Sequence, residues 1–391
     1  MRLGGGCGTK SGMGVRILHT ADWQLGKPFN NIPGDAGAVL REARFDAVRT
    51  IAALAVEHGV DAVLVAGDVF DGNQVSDATI HRCLQALEGF PGPWVLLPGN
   101  HDAFLAECVW SRLERLGRPA QVIVADRPEP IALLDGRLAV LPAPLTARRA
   151  FDDLTGWMDG AATPTGCVRV GLAHGSVGDR LPAAADAGNP IAPDRADRAR
   201  LDHLALGDWH GTLEIAPRCW YAGTPEPDRF PANDPGNVLL VDLPGPGAPG
   251  EVFKLRTASF TWQPLTLSLS GAVDVGEPAA AVEAALARLP SPERTLVALR
   301  LEGMVGLAER LLIDQVLARW EGRLRHLQIE DGGLAALPCA QDLAVLSDGG
   351  VIGTAAGRLR QQAAEASAEA RADAELALRL LWGEQQRLGL S

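Results

Sequence analysis

Five short apolar runs in this sequence each lead, within a few residues, to a side chain able to bind a cation. Val15–Leu18 leads to Asp22 and Gln24, Ala62–Val65 to Asp68, and Trp94–Leu97 to Asn100, His101 and Asp102. Val168–Leu172 leads to His174, and His203–Leu206 leads to Asp208 and His210. Apolar runs of four or five residues separated by helical segments predict an α/β domain. In such a domain the residues just past the C-terminal ends of the strands converge on one edge of the sheet, where ligands bind. A glycine stands directly before Asp68, Asn100 and Asp208 and allows the chain to turn sharply there.

Taken singly, each element has an ordinary explanation. An Asp after a strand is commonly a turn or helix cap, and a lone His is commonly a satisfied core or surface residue. The ordered series is the informative feature. Its mixed nitrogen and oxygen donors suit Mn²⁺, Fe or Zn²⁺ and are too histidine-rich for a Ca²⁺ cage.

The series Asp22-x-x, Gly-Asp68, Gly-Asn100-His101-Asp102, His174-Gly and Gly-Asp208-x-His210 resembles the five motifs of the calcineurin-like metallophosphoesterases. The opening Leu-His-Thr-Ala-Asp-Trp and the later Tyr-Ala-Gly-Thr-Pro-Glu are similar to those of the SbcD-type exonucleases of DNA repair. This resemblance implies a metallophosphoesterase β-sandwich flanked by helices, followed by a smaller C-terminal α/β capping domain and a helical tail. It also implies two divalent ions bridged by Asp68. Asp22, Gln24 and His210 would complete one site, and Asn100, His174 and Asp208 the other. His101 would stand beside the scissile phosphate as a general acid, with Asp102 either orienting it or capping a helix. Two positions depart from the family pattern: Gln24 and Asp208 stand where His is usual. The swaps make the donor set richer in oxygen, which favours Mn²⁺, with Mg²⁺ as the alternative, over Zn²⁺. The resemblance further implies DNA as substrate and an SbcC-type ATPase as partner, and a homodimer is a further expectation.

The texture of the chain suggests its divisions. Residues 1–12 are glycine-rich and expected to form a disordered tail, with Met13 a plausible start. Residues 13–250 carry the motifs, and the turn-forming run 244–250 is expected to mark a boundary. Residues 251–354 read as a small α/β module. Residues 355–391 read as a helical tail whose Leu376, Leu378, Leu380, Leu381 and Trp382 either pack on their own domain or dock a partner.

Six scattered cysteines without a C-x-x-C pair argue for reduced thiols. No apolar run is long enough for a membrane helix, and a cytoplasmic location is the expectation. The net charge of −12 weakens the case for nucleic acid, since duplex binders usually present a basic stripe. Arg148-Arg149 and the cluster Arg195, Arg198 and Arg200 are its main basic features. Three functions remain open: a DNA nuclease, a small-nucleotide phosphodiesterase or phosphatase, and a non-catalytic partner-binding subunit.

Overall fold

The computed structural model describes residues 14–178, 188–230, 233–270, 277–336 and 350–365, with further residues between 371 and 381. The expected tail at residues 1–12 lies outside the described residues. The chain divides into two compact units, Met1–Phe260 and Thr261–Ser391.

The first unit is built on two six-stranded sheets. In one, Val15–Thr20, Ala62–Val65, Trp94–Leu96 and Val122–Val124 run parallel, and Asn237–Leu243 joins Val15–Thr20 antiparallel. In the other, Leu138–Ala143, Val168–His174, His203–Gly207 and Cys219–Tyr221 run parallel. Strands buried on both faces read as continuous apolar runs, and this is why they stand out in the sequence.

Alternate residues of each strand face opposite sides. Ile17, Leu64 and Val95 meet Val140, Val170 and Leu172 between the sheets. Leu18, Val63 and Val65 face outward onto Phe45, Val48 and Ile51 of the helix Asp35–Glu57 and Ile80 and Leu84 of the helix Asp77–Leu87. The other sheet is covered on its outer face by Met158, Ala196 and Leu201. The result is the expected β-sandwich flanked by helices.

His19 and His203 lie within this first unit and are almost completely buried. His203 Nε2 lies 3.4 Å from His19 Nδ1, and His19 Nε2 donates to the Leu206 carbonyl at 3.1 Å. Buried polar groups need such partners, so the pair is a satisfied core element. Cys83, Cys108, Cys167 and Cys219 are buried free thiols.

The boundary falls later than expected. Residues 244–250 form the loop of a hairpin, because Glu251–Arg256 pairs antiparallel with Asn237–Leu243. A Pro/Gly run reads alike whether it turns a hairpin or links domains, and only the pairing distinguishes the two.

The second unit carries three parallel strands, Thr261–Ser270, Thr295–Val305 and His326–Ala336. Its core joins Val297, Leu299 and Leu301 of the middle strand to Val282 and Leu286 of the helix Glu277–Ala287 and to Ile313, Val316 and Trp320 of the helix Leu307–Glu321. A later helix, Gly350–Glu365, begins the tail. Leu378 is buried in a cluster with Leu307, Ala336 and Ala356, while Leu376 and Leu380 are exposed. Part of the leucine-rich end therefore packs on its own unit, and Trp382 lies outside the described residues. Among the described residues, no helix is long and apolar enough to cross a membrane.

Candidate metal centre

The strand ends deliver their side chains through strained backbone. Asp22, Gln24, Asp68 and Asp208 have φ of 55°, 43°, 52° and 98°. Non-glycine residues adopt this left-handed region rarely, and mostly where surrounding structure enforces it. Here the enforcement is visible. Asp22 N donates to Gly67 O at 3.1 Å and Gln24 N to Asp68 O at 2.8 Å, so the first two loops run side by side. A Cβ at Gly67, itself at φ 90°, would lie 2.2 Å from His174 Nδ1. A Cβ at Gly99 would lie 2.2 Å from Asp68 Oδ1. Glycine is required at both positions for the loops to close on one another.

The closure brings Asp22, Asp68 and His174 together, with one potential ligand atom from each lying within 4.8 Å of the others. His174 Nδ1 faces the Ala66 carbonyl at 2.8 Å and must donate to it. Its Nε2 therefore faces the site, 2.9 Å from Asn100 Oδ1, 3.5 Å from Asp68 Oδ1 and 3.7 Å from Asp208 Oδ1. Burial acts to lower the pKa of His174, but Asp68, Asp22 and Asp208 outweigh it and raise it to about 9. Burial pushes Asp22 up to about 6 and also raises Asp208. Three carboxylates crowd one imidazole, a surplus of negative charge that a cation relieves. The donor set thus fits a divalent metal.

His210 lies on the far side of Asp22, its Nε2 4.0 Å from Asp22 Oδ1. Its Nδ1 pairs with buried Asp228 at 3.1 Å. Burial would raise the pKa of Asp228, but His210, Lys27 and Arg44 hold it well below the usual carboxylate range. Gln24 reaches this side too, with its Nε2 3.3 Å from His210 Nε2.

His101 is exposed at the rim. Its backbone N donates to Asp68 Oδ1 at 2.9 Å, its ring Nδ1 meets Asp71 O at 3.0 Å, and its Nε2 lies 3.9 Å from Asp68 Oδ2. Asp102 does not follow the expectation that it orients this ring. It is fully buried, and its carboxylate accepts from Gly99 N at 2.7 Å and Phe70 N at 3.0 Å. It ties the Asp68 loop to the Asn100 loop. Burial and Asp68 raise its pKa to about 8.

Several supports are invisible as motifs. Arg44, buried on the first helix, donates to the carbonyls of Trp23, Asp22 and Glu226. Thr224 Oγ1 donates to Asp22 O at 2.9 Å. Tyr221 Oη donates to Gly175 O at 2.7 Å and accepts from Val177 N at 3.0 Å, which pins the turn after His174. Glu226 accepts from Ser259 N and Phe260 N. These contacts give Tyr221, Thr224 and Glu226 of the Tyr-Ala-Gly-Thr-Pro-Glu run a structural meaning. A buried Arg on an amphipathic helix carries no such signal in sequence.

Residues 15–177 match the calcineurin-like phosphoesterases. The chain is 29% identical to the SbcD subunit of the nuclease SbcCD from Rhodobacter capsulatus over 376 residues, 82% of this chain and 87% of that protein. The same subunit from Escherichia coli K12 is 40% identical over 93 residues, 23% of this chain and 22% of that one. The Bacillus subtilis protein of the same name is 32% identical over 92 residues, 22% of each chain. Among solved structures, the purple acid phosphatase PPD1 of yellow lupin aligns with a TM-score of 0.40 and 13% identity, covering 62% of this chain and 52% of that one.

Proposed function

We propose that this chain is the nuclease subunit of a cytoplasmic DNA-repair complex, a metal-dependent phosphodiesterase of the SbcD type that works with an SbcC-type ATPase. The observation that carries the chemistry is the set of acceptors around His174 Nε2, which a cation would satisfy together. The substrate and partner rest on the similarity to relatives named as the SbcD component of the SbcCD nuclease.

In this reading Asp68 would serve both of two divalent ions, with Mn²⁺ the better match and Mg²⁺ the alternative. Asp22 and His210 serve one position, and Asn100, His174 and Asp208 serve the other. When bound, the ions supply the positive charge that a phosphodiester transition state requires. His101 stands at the open rim, where it can give a proton to the leaving oxygen. Its Nδ1 contact with Asp71 O fixes the ring so that Nε2 turns toward Asp68.

One loop favours DNA over a small nucleotide. It leaves the strand Leu138–Ala143 and carries Arg148, Arg149 and Phe151, whose side chain is 92% exposed. Asp152 and Leu154, just beyond, line the same small cavity as His174. Cations beside an exposed aromatic ring suit a phosphate backbone with stackable bases. The acidic net charge is then offset locally by the ions themselves.

The test is hydrolysis of linear duplex DNA with Mn²⁺, run beside bis-p-nitrophenyl phosphate. Wild type should cleave both, and Asp68→Ala neither. Hydrolysis of the small ester alone, with the ATPase present, would point to the small-nucleotide reading instead.

A further inference from the structure

The two halves of the metal centre differ in what their side chains already bond. Around His174 the donor atoms face one another: Asn100 Oδ1, Asp68 Oδ1 and Asp208 Oδ1 all turn lone pairs toward Nε2. The Nδ1 proton is committed to Ala66 O. Such a cluster is stable only around a positive charge.

The half around Gln24 is closed by a cation of the protein's own. Gly26 at φ 97° and a turn from Gln24 O to Lys27 N bring Lys27 back over the site. Lys27 Nζ donates to Gln24 Oε1 at 2.9 Å and to Asp228 Oδ2 at 2.5 Å. The only oxygen that Gln24 could offer an ion therefore faces an ammonium. The other end of its amide lies 3.3 Å from His210 Nε2. His210 Nδ1 lies 3.1 Å from Asp228 Oδ1 and 2.9 Å from Arg229 Nη2, and Arg229 Nη2 also comes within 3.4 Å of His210 Nε2, so the imidazole of this half already faces the protein's own donors. An ion entering here must break the Gln24 contact with His210 and settle near a fixed positive charge.

We propose that Lys27, beside Arg229 on His210, acts as a built-in cation of this half, so that the centre holds one divalent ion tightly at Asp68, Asn100, His174 and Asp208 and a second one weakly. Lys27 sets that weakness through its grip on Gln24. The proposal rests on the metal-centre reading above and deepens it.

The experiment is a Mn²⁺ titration of the full chain, followed calorimetrically and checked by metal analysis after gel filtration. Wild type should retain one ion, with a second at least tenfold weaker. Lys27→Met should tighten the second ion about tenfold or more and leave the first within a few-fold. Lys27→Arg keeps the charge and should preserve the wild-type ratio. Melting curves show whether Lys27→Met is folded. Gln24→His gives an independent route, since its imidazole has no oxygen for Lys27 to hold, and it too should tighten the second ion. Two ions of equal affinity in wild type would overturn the proposal. So would an unchanged second affinity in both Lys27→Met and Gln24→His. Absence of Mn²⁺ binding in wild type and all variants would instead overturn the metal-centre reading itself.

Discussion

Replacing Gly99 by alanine tests how tightly the site is built. The new Cβ would stand 2.2 Å from Asp68 Oδ1 and 2.4 Å from Asp68 N. Comfortable carbon contacts begin near about 3.5 Å, so one loop must move by about 1 Å. Neither loop is free to do so. Gly99 N is held by Asp102, which also holds Phe70 N, and Asp68 Oδ1 accepts from His101 N. Forced overpacking of this kind costs about 1–3 kcal/mol. A melting-temperature drop of roughly 2–4 °C per kcal/mol is expected for a domain of this size. Displacing a ligand by about 1 Å costs on the order of 100-fold in turnover. The assays are a thermal melt and Mn²⁺-dependent hydrolysis of bis-p-nitrophenyl phosphate. Gly245→Ala, where nothing lies within 4 Å of the added carbon, serves as control. Turnover within a few-fold of wild type in Gly99→Ala would refute the claim that this close approach positions Asp68.

His101→Ala should leave the metal content unchanged and lower turnover by about 100-fold or more. Loss of metal in that variant would make His101 a ligand. Tyr221→Phe strands the Val177 amide and removes a donor from Gly175 O, so it should cost about 1–3 kcal/mol in denaturant unfolding. A cost indistinguishable from zero would mean that the turn after His174 holds itself. Burial lowers the pKa of His19 from 6.5 to about 4, partly offset by its bond to Leu206. The folded protein therefore binds this proton less readily than the unfolded chain. The contribution is complete above pH 6.5 and is lost as pH falls toward 4, about 3 kcal/mol in all. His19→Gln should flatten the fall in stability across that window, and identical slopes for the two proteins would count against it.

How much of this was legible in the sequence depended on burial. The strands at 15, 62, 94, 168 and 203 are buried on both faces and were placed within a residue or two. Leu138–Ala143 and Thr261–Ser270 escaped because each contains a proline, which argues against a strand. Pro142 is tolerated because pairing with Ile131–Leu133 ends at Val140. Pro264 is tolerated because its strand lies at the edge of its sheet. The first helix begins at Asp35, and its early residues Ala36 and Gly37 are already buried. The motif residues that line the site were legible from type and order. Arg44, Lys27 and Asp228 were not, since their roles exist only once distant segments meet.

These supporting residues explain how the site tolerates its own geometry. Left-handed backbone at Asp22, Gln24, Asp68 and Asp208 costs on the order of 1–3 kcal/mol per residue. A flexible loop would relax and scatter the four side chains. Here the carbonyl of Asp22 is fixed by both Arg44 and Thr224, which are fully or almost fully buried. The Asp68 loop is tied through Asp102 to the loop that carries Asn100. The amide of Asp208 points at the Asp22 carboxylate, 3.2 Å from Oδ1. Each strained residue is thus bonded to a neighbouring loop, and relaxing one would break a buried hydrogen bond of another. The constellation is set by the folded chain, which is the condition under which charged groups can be held close enough to act together.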